Sequence, residues 1–265
     1  MSTSASPRPS LVSEHMTSAV VSVTEGASLE DVLRTLVSLD VSCVLVTTPG
    51  GSPAGVVALS DLARASAHDG SVRGPLKMMP PEGRAKDIMR TPILTVEAEE
   101  TVGEAAAKMV AHRVHRLFVR RLERIVGVFS TRDALRVVLA RRVETPLREV
   151  MAKPVETISL GDPIDDAVAR LDENNMRGLV VVDGTHPVGA FTQLEAIRAR
   201  ALPPELRQRP VEEIMSYETI TLDASTPLYR AAGHAIQTRV RRILVVEGRA
   251  LVGIVTGYDL AQILD

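Results

Sequence analysis

The sequence predicts an α+β fold made of four β-α-β-β-α units joined as two pairs. Two recurring anchors and the make-up of the core predict it. The first anchor is a methionine in an acidic, aliphatic setting, at Met16, Met89, Met151 and Met215. Six residues after each comes a hydroxyl residue (Ser22, Thr95, Thr157, Thr221), followed by an aliphatic one (Val23, Val96, Ile158, Leu222). The second anchor is a glycine at Gly55, Gly127, Gly189 and Gly253, which lies 39, 38, 38 and 38 residues after its methionine. A spacing held this tightly over four copies marks an internal repeat of roughly 60 residues. The core must be aliphatic, because the 265-residue chain is 45% hydrophobic yet has three Phe, three Tyr and no Trp.

The elements follow in the same order in each unit. A short strand comes after the methionine, as in Ile93-Leu94-Thr95-Val96. A helix begins near Thr101, with Val102, Ala105, Ala106 and Met109 at helical spacing; Leu228, Ala231, Ala232 and Ala235 match them in the fourth unit. Two short runs rich in β-branched residues come next: Leu117–Val119 with Ile125–Val128, and Ile243–Val246 with Leu251–Val255. Such near-continuous apolar runs suit strands covered on both faces. A last helix closes the unit, as at Arg132–Arg141. The expected bounds are a disordered Ser/Pro-rich tail at 1–10, repeats at 11–66, 85–141, 146–200 and 210–265, and a linker at 67–84. A 60-residue unit buries too little surface to be stable alone, so units one and two, and three and four, are expected to pair.

Composition excludes several classes. A net charge of −2, from 31 Lys+Arg against 33 Asp+Glu, argues against a nucleic-acid binder. One cysteine, Cys43, excludes an intramolecular disulfide framework and fits an intracellular, cytoplasmic setting. No apolar run reaches the ~18 residues of a membrane span, so no membrane is expected. His112 and His115 stand three apart with no carboxylate or thiol to complete a metal set. There is no phosphate loop of the GxxxxGK[ST] kind and no nucleophile–base pair, so an enzyme is not expected.

Two sets of residues carry chemistry. Gly127-Val128-Phe129-Ser130-Thr131-Arg132-Asp133 and Gly253-Ile254-Val255-Thr256-Gly257-Tyr258-Asp259 each enter a final helix with a hydroxyl and, three residues on, a carboxylate. The first unit keeps Asp61 but has Ala58 for the hydroxyl; the third keeps Thr192 but has Glu195. Each pattern also reads as a helix capping box. The second set lies 26 and 27 residues past each methionine: Ser42-Cys43, His115-Arg116, Arg177-Gly178 and Arg241-Arg242. Arginine suits phosphate, because its planar fork is permanently charged and bidentate.

These motifs resemble the cystathionine-β-synthase (CBS) domain, four copies of which cover residues 11 to 265. The layout is similar to that of the gamma regulatory subunits of AMP-activated protein kinases. The resemblance implies two tandem Bateman modules forming a flat disc, with clefts that take adenosine compounds. It implies ribose contacts from Asp133, Asp259 and Asp61, and phosphate contacts from Ser130, Thr256, His115, Arg116, Arg241 and Arg242. It implies base contacts from Thr91, Pro92, Ile93, Thr219 and Ile220. The expected ligand is AMP, ADP or ATP, with no cofactor. The expected role is a sensor, a homodimer that signals occupancy to a regulated protein. A ligand-free docking scaffold, or a module for S-adenosylmethionine or NAD, stands as the alternative.

Overall fold

The computed structural model describes residues 9–68, 82–174 and 176–264. The expected tail at 1–10 and linker at 67–84 fall largely outside these residues.

Each unit has a helical turn, a strand, a helix, a hairpin and a closing helix. Unit one comprises α1 (Val12–His15), β1 (Ser22–Thr24), α2 (Leu29–Ser38), β2 (Cys43–Thr47), β3 (Pro53–Ala58) and α3 (Leu59–His68). Unit two has α4 (Ala85–Ile88), β4 (Thr95–Glu97), α5 (Val102–Ala111), β5 (Arg116–Arg121), β6 (Arg124–Ser130) and α6 (Thr131–Ala140). Unit three has α7 (Leu147–Val150), β7 (Thr157–Ser159), α8 (Ile164–Glu173), β8 (Gly178–Asp183), β9 (His186–Thr192) and α9 (Gln193–Arg200). A further turn, α10 (Pro204–Arg207), leads to unit four. Unit four opens with a 3-10 turn at Val211–Glu213, then β10 (Ile220–Asp223), α11 (Leu228–Thr238), β11 (Arg242–Glu247), β12 (Ala250–Thr256) and α12 (Gly257–Ala261).

The turns ahead of each methionine are not signalled by hydrophobic period, since four residues are too short to show one. The longer helices form where the sequence places them. At α5, Val102, Ala105, Ala106 and Met109 are fully buried on one face, and Thr101 with Glu104 closes a reciprocal capping box at its start. In every unit the first strand pairs parallel to the second, and the second pairs antiparallel to the third, giving four three-stranded sheets.

The Met–Gly repeat is spatially exchanged. Met16 of unit one packs over Gly127 of unit two, and Met89 of unit two packs over Gly55 of unit one. Met151 of unit three covers Gly253 of unit four, and Met215 covers Gly189 of unit three. A Cβ at Gly127 would lie 2.7 Å from the Met16 sulfur and 2.9 Å from the Thr17 carbonyl oxygen, so only glycine fits. A β-bulge stands beside each of these glycines, shifting register after Val46, Val119, Val181 and Val245. The exchange ties units one and two together, and units three and four.

The sheets of each pair also meet face to face. Cys43 and Leu45 pack against Phe118, and Val180 and Val182 against Leu244. Across the pairs helices meet: the closing helix α3 lies on the closing helix α9, and α6 lies on both the central helix α11 and the closing helix α12. One continuous buried cluster runs from Val102 and Leu135 of unit two to Leu228 and Leu260 of unit four.

Candidate functional site

Each central strand begins beside the end of the preceding helix. Asp40, Arg113 and Arg239 occupy that junction with φ of 48°, 52° and 59°. This left-handed residue ends the helix and turns the chain into the strand. The next residues are the pairs picked out by the repeat, and the structure brings those of all four units toward one another.

His115 sits at the focus. Its ring meets Tyr258 of unit four edge-on at 5.7 Å between centroids. Burial pushes the imidazole down to about 4, helped by the surrounding charges of Arg177, Arg116, Arg242 and Arg241. It is therefore neutral at pH 7, a half-buried base among four guanidinium groups drawn from three units. Arg177 donates to the Arg113 carbonyl at 3.1 Å. Arg242 lies against Gly178, where a Cβ would be 3.7 Å from its Nη2. Burial lowers its pKa, against the opposing pull of Glu195. Arg116 turns toward Cys43 of unit one, whose thiol burial pushes up. Arg241 is held by Asp40, pairing with its carboxylate and donating to its carbonyl at 3.1 Å, while Arg132 pairs with the same carboxylate at 3.1 Å. Burial works against the Asp40 carboxylate, but Arg241 and Arg132 outweigh it and hold its pKa low. Asp40 and Tyr258 carried no signal in the sequence, because their role exists only where units one, two and four meet.

The acids at the closing helices are all caps. Asp61 accepts from the Ala58 amide at 2.8 Å. Asp133 accepts from the Ser130 amide at 2.8 Å and hydroxyl at 2.7 Å. Glu195 accepts from the Thr192 amide at 3.0 Å and from its hydroxyl. Asp259 accepts from the Thr256 amide and hydroxyl, both at 2.7 Å. Thus Ser130 and Thr256, expected at phosphate, spend their hydroxyl protons on the caps.

The second carboxylate oxygen separates the four. Asp61, 3% exposed, is paired with Arg64 and with Arg90, the latter at 2.6 Å. Asp133, 1% exposed, is paired with Arg136 at 2.6 Å, and Glu195 with Arg198 at 3.5 Å. Three residues past Asp259 stands Gln262 in place of an arginine. Among the described residues the Asp259 Oδ1 has no hydrogen-bond partner, and the side chain is only half-buried.

The lead-in strands sit elsewhere than their place in the sequence suggests. Thr91, Pro92 and Ile93 run beside unit one, not beside Asp133: Arg90 bridges Val56, and Ile93 packs among Cys43, Leu45 and Phe118. Thr219 and Ile220 follow Ser216, which bridges Ala190 of unit three. The strand beside Asp133 is instead the one after Met16, through Thr17 and Val128. The strand beside Asp259 is the one after Met151, through Ala152 and Ile254. Sequence could not reveal this, because a repeat has the same spacing whether its anchors meet within a unit or between units. Among the described residues no group of three or more His, Cys, Asp or Glu could hold a metal ion, and no helix is long and apolar enough to cross a membrane.

Comparison with known proteins agrees with this architecture. The CBS domain profile matches residues 12–68, 85–140, 147–202 and 211–265. The uncharacterised protein MJ1404 of Methanocaldococcus jannaschii is 29% identical over 161 residues, covering 54% of this chain and 38% of that protein. This chain thus spans well under half the length of that relative. The crystal structure of MJ1225 from the same organism, proposed as an archaeal homologue of gamma-AMPK, superposes with a TM-score of 0.80 at 17% identity over 96% of this chain and 100% of that one. A conserved protein from Pyrococcus horikoshii gives a TM-score of 0.67 at 19% identity over 96% of this chain and all of that one. Four matched segments, each with its own mixed sheet, account for nearly all of the sequence: the chain belongs to the CBS-domain family, with four copies of the domain.

Proposed function

We propose that this chain is a regulatory module that binds an adenosine nucleotide, AMP, ADP or ATP, in the cleft of units three and four, and presents its occupancy to a partner protein. The observation that carries this is Asp259: a helix-capping carboxylate with an open oxygen, beside the Ala152 strand and near the arginine-rich centre. One ionised carboxylate can accept both hydroxyls of a ribose diol. Ala152 to Val155 then offer backbone groups to the base, the role the family resemblance implied for Thr91, Pro92, Ile93, Thr219 and Ile220. Arg241, Arg242, Arg116 and Arg177, with His115, take the phosphates. These cations favour a phosphorylated adenosine over S-adenosylmethionine, whose sulfonium is positive. Asp61 and Asp133 are occupied by arginines, so their clefts take ligand only if those pairs open.

Titration calorimetry of the full chain with AMP, ADP, ATP and S-adenosylmethionine tests this reading. Saturable heat with at least one nucleotide, abolished or sharply weakened in Asp259→Ala, is the expected result. No heat and no thermal shift with any of them supports the ligand-free docking scaffold instead.

A further inference from the structure

Unit one breaks the repeat where the units converge. Twenty-four residues past its methionine, the left-handed residue that leads into the central strand is Arg113 in unit two and Arg239 in unit four, but Asp40 in unit one. The pair that follows is Ser42-Cys43, with no cation. Unit one therefore brings a carboxylate to the place where the other units bring arginines. Asp40 is paired with Arg241 of unit four and with Arg132 of unit two. Of the central arginines Arg116, Arg177, Arg241 and Arg242, Arg241 alone has an ion pair among the described residues. Among those residues it is also the one ion pair that joins the first pair of units to the second. The Asp40 side chain is 57% exposed and that of Arg241 43%, so a solute can reach the contact.

The donor atom decides what this contact does to an incoming anion. Arg241 bonds the Asp40 carboxylate and, at 3.1 Å, the Asp40 carbonyl, and both bonds leave from Nη2. That nitrogen has two protons, one in each of the two forks with which a guanidinium grips an oxyanion through a pair of parallel bonds. With both protons given to Asp40, neither fork is free. A phosphate group can take Arg241 by two bonds only when Asp40 lets go. The Asp40 carboxylate thus supplies the charge and the acceptor atoms that a phosphate oxygen pair would bring.

We infer that Asp40 is a built-in competitor for the ligand: it holds Arg241 in the unliganded chain, and a bound phosphate group displaces it. Displacement opens the one ion pair between the two pairs of units, so occupancy and the contact between pairs are coupled through Arg241. That the phosphate belongs to an adenosine nucleotide rests on the function proposed above; the competition itself needs only a phosphate group. A positioning role for Asp40 has the opposite sign, since a carboxylate that merely aims Arg241 helps binding.

Titration calorimetry of the full chain at fixed ionic strength tests it, with AMP, ADP, ATP and inorganic pyrophosphate as probes. The variant is Asp40→Asn, because asparagine tolerates the left-handed backbone there, φ 48°. Asp31→Asn, which removes the same charge elsewhere on α2, is the control. Asp40→Asn is expected to bind the probes about two- to fivefold more tightly than the wild type, the range of a half-exposed ion pair. Asp31→Asn is expected to match the wild type. In an Arg241→Ala chain, Asp40→Asn is expected to give no further gain. Unchanged binding in Asp40→Asn overturns the inference, and weaker binding overturns it in favour of the positioning role. A gain that persists without Arg241, or an equal gain from Asp31→Asn, overturns it too. Tighter pyrophosphate binding in a chain that takes no nucleotide supports the competition and overturns only the nucleotide reading; nucleotide binding that Asp40→Asn leaves unchanged does the reverse. No binding of any probe by either chain overturns both.

Discussion

Four acids stand at the third position of the closing helices, and three of them already face an arginine. The difference decides what each substitution does. Asp259→Ala removes the open acceptor, and hydrogen bonds to a charged group contribute about 1.5–3 kcal/mol. Nucleotide affinity should fall roughly 10- to 150-fold, read by calorimetry. Asp133→Ala removes a cap and strands Arg136, so it should cost about 1–3 kcal/mol in urea unfolding. Equal binding losses from both would mean that the open oxygen at Asp259 does not discriminate between the clefts. His115 gives a pH test. Its folded pKa of about 4 lies below the ordinary value of 6.5, so the unfolded chain binds the proton more readily. The contribution of His115 to stability is complete above pH 6.5 and is lost as pH falls toward 4. Between pH 7.5 and pH 5 the wild type should lose roughly 1–2 kcal/mol that His115→Phe does not lose. A bound phosphate beside His115 raises its pKa, so binding should take up a proton. Calorimetry in buffers of different ionisation enthalpy, with His115→Phe as reference, measures that proton.

At the scale of elements, the exchanged methionines set how the units hold together. Each glycine is required because a methionine side chain from its partner unit presses on the bulged strand, joined at Gly55, Gly127 and Gly189 by a backbone carbonyl. Gly127→Ala must displace both Met16 and the Thr17 carbonyl, at 2.7 and 2.9 Å from the new carbon. Overpacking of this kind costs about 1–3 kcal/mol. Met16→Ala in the same chain should recover only part of the loss, because the backbone carbonyl stays in place; full recovery in thermal melts would mean that the sulfur alone sets the limit. Gly257 plays a comparable part between pairs. A Cβ there would meet the Thr131 side-chain oxygen at 2.7 Å, where the starts of α12 and α6 touch.

For the whole molecule, units two and four share one apolar cluster, while the clusters of units one and three are centred within each unit. The two pairs are therefore not independent domains. A chain cut between Arg142 and Pro146 would leave Leu135 and Val138 of α6 without α11 and α12. Residues 1–142 expressed alone should self-associate through that face, and adding residues 146–265 should replace the self-association with a one-to-one complex in light scattering. A stable monomeric first half would show that the shared cluster is dispensable. The same junction lies beside His115 and Tyr258, so a nucleotide bound as proposed in the cleft of units three and four would lie next to the contact between pairs. Occupancy can reach a partner by shifting that contact.

The sequence by itself determined the number of units, the order of elements in each, the aliphatic core faces and the four homologous positions that lead into the central strands. Those are local properties: side-chain period, capping residues and repeat spacing act over a few residues and are written in order along the chain. It did not determine which methionine meets which glycine or which lead-in strand flanks which acid. A periodic chain satisfies its spacings equally well within or between units, whereas Asp259 differs from Asp133 locally, with Gln262 where Arg136 stands one helical turn on. Burial settled those choices. Exchanging the lead-in strands covers the bulged hairpins on both sides, and only the packed assembly draws His115, Arg177, Arg241 and Arg242 of three units to one centre.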